Sequence, residues 1–127
     1  MSKKIVFVIL FFLVVLLSLP LLAGPYENAL KTNDKVVVYL YAQNCKYCVR
    51  FEPIYKKVAK IYDKKCKFLR IDADSKEGLK LMKLFGARYV PFVVLADSKN
   101  SEVYQIEPNC LVSFKCTNYF IDRFLRK

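Results

Sequence analysis

The sequence predicts an α/β domain: a central mixed β-sheet flanked by helices, preceded by an apolar N-terminal segment that stands apart from it. Three observations lead there. The 127 residues are enough for one hydrophobic core and too few for two. Apolar residues make up 55% of the chain, with only 3 Gly and 5 Pro, a composition that excludes disordered, low-complexity and collagen-like classes. Strand-like and helix-like patterns then alternate through residues 25–127 in the order αβαβαββα, without an internal repeat, which is the pattern of a sheet covered by helices.

The N-terminal segment comes first. Lys3 and Lys4 lead into an unbroken apolar run from Ile5 to Leu17, which continues to Ala23 with only Ser18 and Pro20 interrupting. Residues 1–23 read as an export signal removed after Ala23, although Leu21 stands where a small residue is usual, or as a retained membrane anchor. The 19 residues from Ile5 to Ala23 would extend about 28 Å as a helix, close to the hydrocarbon thickness of a bilayer. A buried core helix is the third reading. Under either of the first two, the lysines stay cytoplasmic and residues 25–127 face an oxidising extracytoplasmic space, periplasmic or secreted.

Within residues 25–127, Pro25 to Thr32 is a short helical piece ended by the Asn33-Asp34 turn. Val36 to Tyr41 is a continuous β-branched and aromatic run, as expected of a strand covered on both faces. From Cys45 onward Phe51, Ile54, Tyr55, Val58 and Tyr62 recur at helical spacing, so a helix runs to about Tyr62 with cysteines in its first turn; Phe51, Tyr55 and Tyr62 read as core. Lys67 to Ala73 is a second strand and Ser75 to Phe85 a helix opened by Ser75 as N-cap. Pro91 to Ala96 is a third strand, and Ser101 to Ile106 its hairpin partner across the polar turn 97–100. Val112 to Leu125 closes the chain as an amphipathic helix with Phe120, Ile121, Phe124 and Leu125 inward.

Charge and composition narrow the chemistry. There are 22 Lys plus Arg against 11 Asp plus Glu, and the two lysines of the apolar segment explain little of that excess. The basic residues interleave with apolar helical positions and so read as a solvated face, or as one meeting an anionic membrane or acidic partner; an exported chain has no nucleic acid to meet. The chain has no His, which removes the usual general base and the commonest zinc and haem ligand. No cofactor and no metal are expected.

The chemistry lies in five cysteines. Cys45-Lys46-Tyr47-Cys48 falls where a buried strand gives way to a helix. Free N–H groups and the positive helix end favour a thiolate on Cys45, and Lys46 adds a full charge beside it. Lowering a thiol pKa from about 8.5 to about 7 raises the thiolate fraction at neutral pH from a few per cent to about half. Cys45 is then the nucleophile, and Cys48, one turn on and deeper, resolves the mixed disulfide. A static bridge, or half of a zinc site, is the bland alternative for this pair.

These residues resemble the thioredoxin superfamily, over essentially all of residues 26–127. Pro53 stands five residues after Cys48, where thioredoxin-like helices carry a kinking proline, and Phe85 to Phe92 is similar to the segment that leads through a cis-proline into the hairpin. The resemblance implies a thioredoxin-like fold, a cis Val90–Pro91 bond packed against the cysteines, and Val90 and Pro91 as substrate-binding residues. Two positions depart from thioredoxin proper. Tyr39 replaces a buried Asp six residues before the first cysteine, and Asn44 replaces a Trp just before it. Without that carboxylate the Cys48 proton needs another acceptor, water or Lys57, and turnover as a reductase is slower. The central pair Lys46-Tyr47 replaces Gly-Pro, with Tyr47 similar to some exported oxidoreductases and isomerases. That pair tunes the couple anywhere between about −270 and about −120 mV, a span of about 7 kcal/mol.

Cys110 and Cys116 read as a structural disulfide fastening the loop after Ile106 to the last helix, or as a second redox pair. Cys66 is the odd thiol, buried or partly buried. Arg88 near the active-site loop reads as a contact for acidic substrates or as ordinary surface charge. The expected function is thiol-disulfide exchange with cysteines of exported proteins, through Cys45 and Cys48, together with a redox partner protein. The competing readings are a non-enzymatic thioredoxin-like binding module and a dedicated maturation factor for haem-carrying or copper-carrying proteins.

Overall fold

The computed structural model describes residues 2–18 and 23–127. Helix α1 (Lys3–Ser18) opens with two lysines and is apolar from Ile5 to Leu17, where its side chains are exposed. Its 16 residues extend about 24 Å. Among the described residues no helix is long and apolar enough to cross a membrane. The expected apolar run continues through Leu19 to Leu22, outside the described residues, so the boundary expected at Ala23 lies at the edge of what is described.

The domain runs α2 (Pro25–Thr32), β1 (Lys35–Tyr41), α3 (Lys46–Tyr62), β2 (Lys67–Asp72), α4 (Lys76–Leu84), β3 (Phe92–Asp97), β4 (Glu102–Gln105), a 3-10 turn (Pro108–Cys110) and α5 (Phe114–Arg126). The four strands form one mixed sheet in the order β2-β1-β3-β4. β1 pairs in parallel with β2 and antiparallel with β3, and β3 pairs antiparallel with β4. A strand with neighbours on both sides and helices on both faces must be apolar throughout, and Val36 to Leu40 are all buried.

The alternation of side chains along β1 divides the core in two. Val37 and Tyr39 face Phe51, Tyr55 and Val58 of α3 and Ile121 and Phe124 of α5. Val36, Val38 and Leu40 face Tyr26 and Ala29 of α2 and Leu81 of α4. Gly78 lets α4 lie directly on the end of β2: a Cβ there would stand 1.8 Å from the Asp72 carbonyl oxygen. Ser75 caps α4 by accepting the Gly78 N–H at 3.0 Å, as expected.

Several boundaries differ from the sequence reading by one or two residues, and three of them bear on the site. β3 begins at Phe92, because Pro91 has no N–H to give the ladder. β4 stops at Gln105, although Ile106 N–H still reaches Val93 O at 2.9 Å. The last helix begins at Phe114, two residues later than expected, since Ser113 turns its hydroxyl onto the Cys116 N–H at 3.2 Å and caps it. The 3-10 turn before it has no counterpart in the sequence reading.

Candidate active site

β1 ends at Tyr41, and the chain reaches α3 through a tight turn in which Asn44 has φ 60°. This left-handed backbone suits Asn far better than a bulky aromatic, which accounts for the residue found where Trp was the alternative. The turn places Cys45 as N-cap of α3, its Sγ accepting the Cys48 N–H at 3.1 Å. Cys45 and Cys48 are disulfide-bonded, with Cα atoms 5.2 Å apart. Cys45 is partly exposed, whereas Cys48 is 4% exposed. The first turn of α3 has no acidic residue, so nothing offsets the positive helix end or the exposed Lys46 at the sulfur.

The segment between α4 and β3 closes over the pair. The Val90–Pro91 peptide is cis, and the Val90 carbonyl oxygen stands 3.8 Å from Cys45 Sγ. Beside them opens a groove of about 620 Å³. It is lined by Tyr47 and Arg50 of α3, by Tyr89 to Pro91, and by a wall of Pro108, Asn109, Leu111 and Val112. Thus the structure brings together Cys45, Cys48, Tyr47, Val90 and Pro91, while Lys46 projects into solvent. Arg88, also exposed, does not line the groove.

Beneath the pair lies a cluster that the sequence reading missed. Tyr39 is fully buried, and its hydroxyl donates to the Cys48 carbonyl at 3.3 Å. Burial, reinforced by the nearby Glu52 carboxylate, pushes the phenol well above its ordinary pKa. Glu52 follows Cys48 by one helical turn and so shares its face, at a spacing of about 6 Å between Cβ atoms. Its Oε1 pairs with Arg70 Nε, and its Oε2 is buried with no hydrogen bond from the described residues. Arg70 stands opposite Tyr39 in the β1–β2 register and lies 3.6 Å from the Tyr41 ring centroid. Lys57, one of the two expected proton acceptors beside water, has its Nζ 4.0 Å from the Phe114 ring centroid. α3 thus places a carboxylate one turn from Cys48, beside Tyr39 and Arg70. The spacing Cys48-x-x-x-Glu52 was the available signal.

Cys110 and Cys116 form a second disulfide, with Cα atoms 5.2 Å apart. Cys66 is a free, buried thiol whose pKa burial pushes up to about 12, so it is inert at neutral pH. No cluster that could hold a metal occurs among the described residues.

A family model described as thioredoxin matches residues 19–113. The chain belongs to the thioredoxin family. It is 29% identical over 80 residues to the chloroplastic thioredoxin-like protein HCF164 of Oryza sativa subsp. japonica, and equally so to that of Arabidopsis thaliana. Those alignments take in 63% of this chain but only 30% and 31% of the relatives, so the chain spans about a third of the curated proteins it matches. Among solved structures, a mutant thioredoxin from Halobacterium salinarum NRC-1 superposes with a TM-score of 0.65 at 26% identity, over 80% of this chain and 86% of that one. The oxidised thioredoxin from Plasmodium falciparum gives 0.64 at 20% identity, over 79% and 89%, a likeness of fold.

Proposed function

We propose that the protein is a thiol-disulfide oxidoreductase that exchanges disulfides with cysteines of exported proteins. The observation that carries this reading is a bonded cysteine pair at a helix N-terminus with its first sulfur partly exposed and its second buried. In the reducing direction the Cys45 thiolate attacks a substrate disulfide, forming one S–S bond and expelling one substrate thiolate. Cys48 then loses its proton and attacks the Cys45 sulfur, which closes the internal disulfide and frees the second substrate thiol. Two electrons pass to the substrate, and the reverse sequence oxidises a dithiol. Direction follows the potential of the redox partner protein.

Lys46 and Tyr47 tune the thiolate. Val90 and Pro91 receive the chain flanking the substrate cysteine, which must lie beside Cys45 where the Val90 carbonyl already sits. Cys110–Cys116 is structural. Residues 1–23 deliver the domain to the far side of a membrane, as a signal or anchor, the motive being the two lysines ahead of the apolar α1; protease protection in intact cells checks this. For the chemistry, Cys48→Ser in its thiol form should accumulate a mixed disulfide with a disulfide-containing protein substrate, and Cys45→Ser should neither trap substrate nor turn over. Absence of any Cys45 adduct with Cys48→Ser would sink the reading.

A further inference from the structure

The wall of the groove formed by residues 108–112 is also where the second disulfide sits. Cys110 ends the 3-10 turn and is 3% exposed. Its carbonyl accepts the Ser113 N–H and the hydroxyl of fully buried Thr117, each at 3.1 Å, and its sulfur is bonded to Cys116 in the first turn of α5. α5 is itself fixed by Ile121 and Phe124 in the core. The wall is therefore tied covalently to the body of the domain at one point. Outward it presents Pro108 and Val112, the latter 71% exposed, while Leu111, 4% exposed, packs into the core; Tyr47 and Tyr89, 63% and 45% exposed, also line the groove. Arg50 is the one charged residue lining the groove. Apolar side chains left facing water beside a reactive sulfur fit an apolar occupant.

We infer that the Cys110–Cys116 disulfide positions one wall of the substrate groove, and that this wall selects segments with an apolar side chain next to the reactive cysteine. The inference rests on the oxidoreductase reading and names its substrate class. With the bridge cut, residues 108–112 keep their hydrogen bonds and the packing of Leu111 but lose their covalent anchor, so part of the ordering of Pro108 and Val112 must be repeated each time a substrate binds. Cys45 and Val90 are held by α3 and the start of β3, so the sulfur chemistry stays as it is.

The test uses the oxidised full chain in single turnover with excess dithiol peptide, followed by acid quench, alkylation and mass spectrometry. One peptide carries leucine beside its first cysteine; its twin carries serine there. For the wild type, the leucine peptide should half-saturate at a concentration about tenfold lower than its twin. In Cys110→Ser/Cys116→Ser that advantage should fall to about twofold, at unchanged limiting rate and unchanged rate of reduction by dithiothreitol. A bridge that serves stability alone would lower the melting temperature and keep the leucine advantage intact, which overturns the inference. Should the double serine variant not fold, Cys110→Ala/Cys116→Val keeps the site apolar and is read in the same way. If the wild type, though reduced by dithiothreitol, neither oxidises the dithiol peptides nor, once reduced, reduces their disulfide forms, the oxidoreductase reading falls and this one with it.

Discussion

Glu52 carries the least expected chemistry in the molecule. It faces Cys48 from one turn along α3 and is neutralised from the sheet by Arg70. Removing either member leaves a net charge near the buried sulfur, of opposite sign in the two cases. Glu52→Gln leaves Arg70 in excess, which favours the Cys48 thiolate in the reduced protein and should lower the pH at which Cys48 titrates; Arg70→Gln leaves Glu52 in excess and should raise it. The Cys48 Cβ chemical shift, followed against pH in the reduced protein, reads both. Shifts of the same sign would mean that the two residues act through packing alone. Cys45 and Cys48 were legible in the sequence because their spacing and their place at a strand-helix junction are local facts. Tyr39 was legible as a departure from thioredoxin proper, but its meeting with Glu52 was not, because that depends on the rotation of α3 over β1 and on the Tyr39–Arg70 register between β1 and β2.

At the scale of elements, α4 shows how closely helix and strand are fitted. Gly78→Ala would drive a Cβ to 1.8 Å from the Asp72 carbonyl and 2.7 Å from the Ala73 Cα, both backbone atoms that cannot swing aside. Overpacking of this kind costs about 2 kcal/mol, which for a domain of this size lowers the melting temperature by about 10 °C; calorimetry checks it, and an unchanged midpoint would mean that α4 shifts freely. Periodicity found the longer elements, since the runs in β1, α3 and α5 are set by burial. It missed the 3-10 turn, which has three residues and no period of its own, and it began α5 two residues early, where Val112 is apolar but faces the groove instead of the core.

The acid sensitivity of the whole molecule follows from two carboxylates, one held within the turn after β3 and one paired between α2 and α4. Asn100 donates to Asp97 from its side-chain amide at 2.9 Å and from its backbone at 3.1 Å, which lowers the Asp97 pKa. Lys80 lowers that of Glu27 by pairing with it. Both contributions are present above the ordinary carboxylate pKa of about 4 and disappear as pH falls through the lower folded-state values. Stability should hold between about pH 5 and 7 and decline below about 4, with a shallower decline in Asp97→Asn; urea titrations across that range decide it. A central mixed sheet was readable from the alternation of elements. The order β2-β1-β3-β4 was not readable from periodicity, because pairings between strands separated by whole helices leave no local trace.

The most direct test is a redox titration of the full chain against glutathione, with each cysteine scored by alkylation. Cys45 and Cys48 should pass between bonded and alkylated forms together, in one reversible two-electron step, and the oxidised protein should recover fully on back-titration. A pair that stays bonded across the whole range, or whose thiols never rejoin, would contradict the account.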